Sequence, residues 1–222
     1  MLLAFDTATR TYGAALHDGE RLVAEQLWLG LGPATAAFAP EVALLLRRVG
    51  VTPRDLTGLG VAQGPGSFTG LRIGLALAKG MALARSLPLI GVPTHRILAE
   101  GQRPRDEPML VLVEAGRGRA AGQRFAWSGA GWQPTSEIEV KSYDGWWEGL
   151  SGPTYVCGEM DREIRAKAKA KKNALLAPGA WCARRPAILA ELAWDALRQP
   201  GAARSAGALA PIYLDAAIGP AA

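Results

Sequence analysis

Two stretches carry residues whose types and spacing could do chemistry. The first is Asp6-Thr7-Ala8-Thr9, which closes a short apolar run. A strand-end aspartate followed by two hydroxyls can hold a hydrated metal ion or phosphates. It can equally cap the turn into a following strand. With no second carboxylate placed beside it, the cap is the simpler reading. The second stretch is Gly64-Pro65-Gly66-Ser67, a glycine turn that opens a long apolar run. Loop N–H groups and a helix N-terminus favour anions. Asp6, Thr7, Thr9, Gly64 and Gly66 are therefore the candidate phosphate or nucleotide contacts. The detailed motifs fail, however. A Walker loop ends in Gly-Lys-Ser/Thr, and here Gly70 is followed by Leu71-Arg72. A dinucleotide fingerprint needs a glycine where Thr69 stands. A tight turn feeding a close-packed helix accounts for the same residues.

Other chemistry finds little support. His17 and His95 are the only histidines and share no metal-ligand spacing. No GxSxG elbow accompanies them. Cys157 and Cys182 make no CxxC pair and fit a reducing compartment. No catalytic residue and no metal site are assigned, and no tightly bound cofactor is expected. The net charge of +5 is small for 222 residues. The basic run Glu159 to Lys172 reads as a solvated helix face, with contact to RNA phosphates as the alternative. Met1 leads directly into Leu2-Leu3-Ala4-Phe5 without a basic leader. No signal peptide or membrane span is expected, and the expected location is the cytoplasm.

The elements that must position these residues follow from pattern. Leu2 to Phe5, Tyr12 to His17 and Leu22 to Leu29 read as an antiparallel meander. Gly30 to Thr35 reads as a loop. Phe38, Val42, Leu45, Leu46 and Val49 mark an amphipathic helix. A strand through Leu59 and Val61, the glycine turn and a long helix follow. Pro88 to Val92 is a strand and Thr94 to Glu100 a short helix. Gln102 to Pro108 is the linker candidate. The pattern then restarts with strands at Met109 to Val113, Gln123 to Trp127 and Trp132 to Val140. A helical turn is expected at Asp144 to Leu150 and a strand at Thr154 to Cys157. Helices are expected at Glu159 to Lys172 and Pro186 to Arg198. Pro211 to Leu214 reads as an extended segment able to dock. The repeated order predicts two similar α/β lobes, residues 1–103 and a more divergent 104–222.

The long helix is unusual. Gly70, Gly74 and Ala78 recur every four residues and leave one face almost bare, which implies a second backbone close by. Leucines cover most of the remainder, and only Arg72 and Lys79 interrupt. A helix apolar nearly all round needs burial on more than one side. Gly70, Leu71, Arg72, Gly74, Leu75, Ala78 and Lys79 are therefore expected at a protein–protein interface.

The block Gly64-Pro65-Gly66-Ser67-Phe68-Thr69-Gly70-Leu71-Arg72-Ile73-Gly74, with Lys79-Gly80 after it, resembles the signature of the TsaB (YeaZ) family. Leu3-Ala4-Phe5-Asp6-Thr7-Ala8-Thr9, Ile90-Gly91-Val92-Pro93-Thr94 and Pro211-Ile212-Tyr213-Leu214 resemble it too, in the same order. The second half departs more. Glu114-Ala115-Gly116-Arg117 stands where an Asp-Ala-Arg is usual, and Asp215 replaces an arginine. The resemblance implies an actin-like, Hsp70-like ATPase (ASKHA) fold of two lobes. It implies a non-catalytic scaffold in tRNA modification, required for threonylcarbamoyl transfer to the adenosine at position 37 of ANN-decoding tRNAs. The implied partners are a homologous TsaD-like catalytic subunit and a TsaE-like ATPase, with tRNA reached through the complex. A homodimer is the implied alternative when the chain is alone, and ATP or ADP could sit at the partner interface. Older names in this superfamily are glycoprotease-like, but no residue here supports proteolysis. Two other classes stay open on the residues alone: an ATP-binding carbamoyl-transfer enzyme using Asp6, and an RNA-binding module using the basic run.

Overall fold

The computed structural model describes residues 1–30, 34–201 and 207–214, with side chains in the first helix described from Phe38 onward. Asp215 therefore lies outside the described residues, as does part of the expected loop after Gly30.

Strands β1 (Leu2–Asp6), β2 (Thr11–His17) and β3 (Leu22–Leu29) form the expected antiparallel meander. Beside β1 run β4 (Gly58–Gly64) and β5 (Leu89–Pro93), both parallel to it, giving the order β3-β2-β1-β4-β5. Alternation along β1 loads both faces. Leu3 and Phe5 point to one core, shared with α1 (Ala34–Arg48) and α2 (Phe68–Arg85). The first helix thus starts at Ala34, inside the expected loop. Leu2 and Ala4 point to the other core.

The second sheet repeats this plan. Strands β6 (Met109–Glu114) and β7 (Arg119–Trp127) are antiparallel. Strands β10 (Thr154–Gly158) and β11 (Ala174–Leu176) continue in parallel on the far side of β6. The expected strand from Trp132 to Val140 is divided into β8 (Trp132–Pro134) and β9 (Glu139–Ser142), which pair with successive parts of β7. Reading β8 and β9 together as one broken strand, this is the first sheet's order over again. Met109, Val111 and Phe125 face one core, and Leu110, Leu112 and Val156 face the other. The latter is filled by Trp146 and Trp147 of α4 (Tyr143–Glu148) and by Ala168 of α5 (Arg162–Lys169). Two sheets of one topology make the fold two-lobed and actin-like.

The lobes exchange helices. Helix α3 (Thr94–Glu100) gives Ile97 to the first lobe's core and Leu98 and Ala99 to the second's. Helix α6 (Pro186–Leu197) follows the second sheet in sequence but packs Leu189, Ala190 and Ala193 on the first. The connection between sheets is also tied down. Gln102 is buried; its side-chain NH2 donates to the carbonyls of Leu98 (3.1 Å) and Trp181 (2.7 Å), and its amide oxygen accepts from the Tyr155 hydroxyl (3.0 Å). A polar, proline-flanked stretch thus crosses as a fixed strap and not a loose linker.

Candidate functional site

The cleft between the lobes is where the strand-end residues meet. Asp6 ends β1 and is 2% exposed. One of its carboxylate oxygens accepts the Ala8 N–H at 2.7 Å, the turn cap read from the sequence. The other accepts from Arg184 Nε at 2.7 Å. Arg184 is itself buried, on the short approach to α6. Its remaining nitrogens donate to Glu159 Oε1 and to the carbonyl of Thr11 (2.6 Å). Glu159 follows β10 directly. It also accepts from the Thr9 hydroxyl (2.5 Å) and, on its other oxygen, from the Glu114 N–H (2.9 Å). One guanidinium therefore joins a carboxylate of the first lobe to a carboxylate of the second. Burial works against the Arg184 charge, but the carboxylates of Asp6 and Glu159 outweigh it and raise its pKa further.

The candidate phosphate contacts thus have partners already. Thr7 donates its hydroxyl to the Gly70 carbonyl at 2.7 Å. Thr9 is taken by Glu159, and Asp6 by Arg184. Gly64 takes a positive φ of 107° at the end of β4, as Gly158 does (117°) at the end of β10. Gly66 lies against Ala8, whose carbonyl accepts the Ser67 N–H. Beside the network lies a cavity of about 420 Å³, lined by Thr9, Arg10, Glu114, Tyr143, Glu159 and Asp161 among others. Among the described residues, no group of three or more His, Cys, Asp or Glu is placed to hold a metal ion. His95 lies inside α3. It is fully buried, its Nε2 lies 3.0 Å from the Ala121 carbonyl of the second sheet, and its Nδ1 has no partner. Burial pushes its pKa down to about 4, against weaker upward pulls from that carbonyl contact and from Glu159.

Helix α2 divides the expected interface residues. Ser67 caps it, accepting the Gly70 N–H. A Cβ on Gly70 would sit 2.1 Å from the Thr7 carbonyl oxygen, and one on Gly74 2.3 Å from the Thr7 hydroxyl. The close backbone implied by these glycines is the β1–β2 turn of the same chain. Leu71, Gly74, Leu75 and Ala78 are buried inside the lobe, so this small face is turned inward and offers nothing to a partner. Arg72 is exposed and Lys79 half-buried. The outward face instead carries Phe68 (52% exposed), Arg72, Ala76, Gly80 and Leu83 (73% exposed). The segment Pro211–Leu214 docks at the head of this face. The Ile212 N–H donates to the Gln63 carbonyl (2.8 Å), and the Tyr213 ring lies 5.1 Å from that of Phe68.

Sequence reasoning missed Arg184 and misplaced Glu159. Helix α5 starts only at Arg162, capped by Asp161, which leaves Glu159 at a strand end facing the cleft. A signal for Arg184 was present. Arg184-Arg185 stand directly before Pro186, at the positive end of a helix dipole where cations are disfavoured. Each therefore needs a carboxylate from elsewhere. Arg185 finds Glu25 of β3, which also accepts the Ala187 N–H at 3.0 Å.

The chain is similar to known proteins in sequence and in fold. A family model described as TsaD, tRNA N6-adenosine threonylcarbamoyltransferase, matches residues 35–138. The tRNA threonylcarbamoyladenosine biosynthesis protein TsaB of Bacillus subtilis (strain 168) is 35% identical over 118 residues, covering 53% of this chain and 52% of its own. The protein of the same name from Escherichia coli (strain K12) is 41% identical over 113 residues, covering 50% of this chain and 48% of its own. The chain thus spans about half the length of the curated relatives it matches. The solved structure of YeaZ from Pseudomonas aeruginosa superposes with a TM-score of 0.72 at 21% identity, over 96% of this chain and 99% of that one. That likeness speaks for the fold.

Proposed function

We propose that this chain is a member of the TsaB (YeaZ) family, to which its curated relatives at 35% and 41% identity point, and is the non-catalytic partner that activates a TsaD-like subunit in forming threonylcarbamoyladenosine at position 37 of ANN-decoding tRNAs. The observation that carries the reading is the outward face of α2. Phe68, Leu83 and small residues between them are exposed along a helix whose opposite face is already buried in its own lobe. A mixed apolar and small surface of this kind suits close helix–helix contact. Residues 35–138, which include α2, also match the catalytic subunit's family model. Two homologous lobes can meet helix to helix about a near-twofold axis, and a homodimer through the same face is the free chain's alternative.

A scaffold role fits the cleft as well. Asp6, the carboxylate best placed for phosphate chemistry, is committed to Arg184. Nucleotide in this reading belongs to the partner interface, tRNA and a TsaE-like ATPase join through the complex, and the work is done in the cytoplasm. Among the described residues, no helix is long and apolar enough to cross a membrane.

The test is co-purification of the chain with the TsaD-like subunit of the same organism, then a tRNA modification assay omitting each component. Ala76→Glu and Leu83→Glu place a charge on the outward face without touching the core. Both should fold by circular dichroism and lose association and modification. Normal binding by both folded variants, or full modification without this chain, would refute the reading.

A further inference from the structure

We infer that Arg184 is an inter-lobe latch, a cation built into the chain that joins the two strand-end carboxylates and holds the cleft shut without a bound metal–nucleotide. Asp6 belongs to the first sheet and Glu159 to the end of β10 in the second, yet both close on one guanidinium. The planar fork of an arginine suits this, since its donors leave in fixed, divergent directions. Each carboxylate is also held from behind. The Ala8 N–H fixes Asp6, and the Glu114 N–H and Thr9 hydroxyl fix Glu159. The Tyr143 hydroxyl holds the Glu159 carbonyl at 2.7 Å. Without the guanidinium, two anions of opposite lobes would face each other in a buried cleft, and the lobes would separate or recruit another cation. The latch is also placed to act. Arg184 lies where the chain passes from the second sheet to α6 on the first, so its position reports on both lobes at once.

The experiment is NMR-detected amide hydrogen exchange on the full chain, as wild type, Arg184→Gln and Arg184→Lys. The wild-type amides of Ala8 and Glu114 should be protected and unchanged by Mg²⁺ alone or by MgATP. Arg184→Gln should speed exchange at both amides, in both lobes together, by roughly tenfold or more. Arg184→Lys keeps the charge but lacks the fork and should fall between. Should Arg184→Gln not fold, Glu159→Gln decides. A local role for Glu159 confines the change to Glu114 and Thr9, which touch it directly. The latch requires Ala8 to exchange faster in Glu159→Gln than in Thr9→Val, which removes the direct tie to Glu159 through the neighbouring Thr9 hydroxyl. Ala8 exchange that is unchanged in folded Arg184→Gln, or no faster in Glu159→Gln than in Thr9→Val, overturns the inference, as does a MgATP response of the wild-type cleft.

Discussion

Acid should weaken this protein through His95, and the size of the effect follows from its burial. In the unfolded chain an exposed histidine titrates near 6.5, whereas burial in the folded protein lowers the value to about 4. Above the first value both states are neutral there and the group is silent. As pH falls below it the unfolded state takes up a proton that the folded state refuses, so stability drops until the folded pKa is reached. The full span amounts to about 3 kcal/mol, and about 2 kcal/mol is already gone by about pH 5. His95→Gln removes the titration and leaves an amide able to reach the Ala121 carbonyl. Urea unfolding of both proteins across this range gives the comparison. The wild type should lose about 2 kcal/mol more than the variant between neutral pH and about pH 5. Parallel pH profiles, or an NMR titration of His95 centred near the ordinary histidine value, would refute the reasoning.

Two further outcomes follow from contacts elsewhere. Gly70→Ala should lower stability by about 1–3 kcal/mol, because the new methyl meets the Thr7 backbone, while Gly80→Ala, with open space around it, should raise stability by up to about 1 kcal/mol. Thermal unfolding of the free chain checks both signs. Glu25→Ala should cost about 1–2 kcal/mol by freeing the Ala187 N–H at the start of α6, with Glu25→Gln costing less, as read by urea unfolding.

Local structure was legible wherever one periodicity ruled. The meander, α3 from Thr94 to Glu100 and the capped entry to α2 all follow from alternation, turn residues and a hydroxyl cap. The two-lobe plan was legible from the repeated order of elements. What pattern could not give was which sheet a helix covers. Helix α6 has an apolar face that would suit either lobe, and only the tertiary fold assigns it to the first. The same limit hid the cleft. Asp6 looked solitary because its partners lie more than 150 residues away, and Glu159 looked like one more charge in a basic run. The glycines of α2 mark a close approach, but sequence does not say which backbone comes near, and it is Thr7 of the same chain and not a partner.

The return of α6 to the first sheet has a bearing on synthesis. Ribosomes add about 5–20 residues per second, so roughly 5–20 s separate the emergence of β5 from that of α6. For that interval Leu2, Ala4, Ala15 and Ile90 lack the helix that covers them. The strands made first thus finish folding last, after residues 109–176 have supplied every strand of the other sheet. A nascent chain halted in that window would display a bare hydrophobic sheet face, the kind of surface that holding chaperones bind.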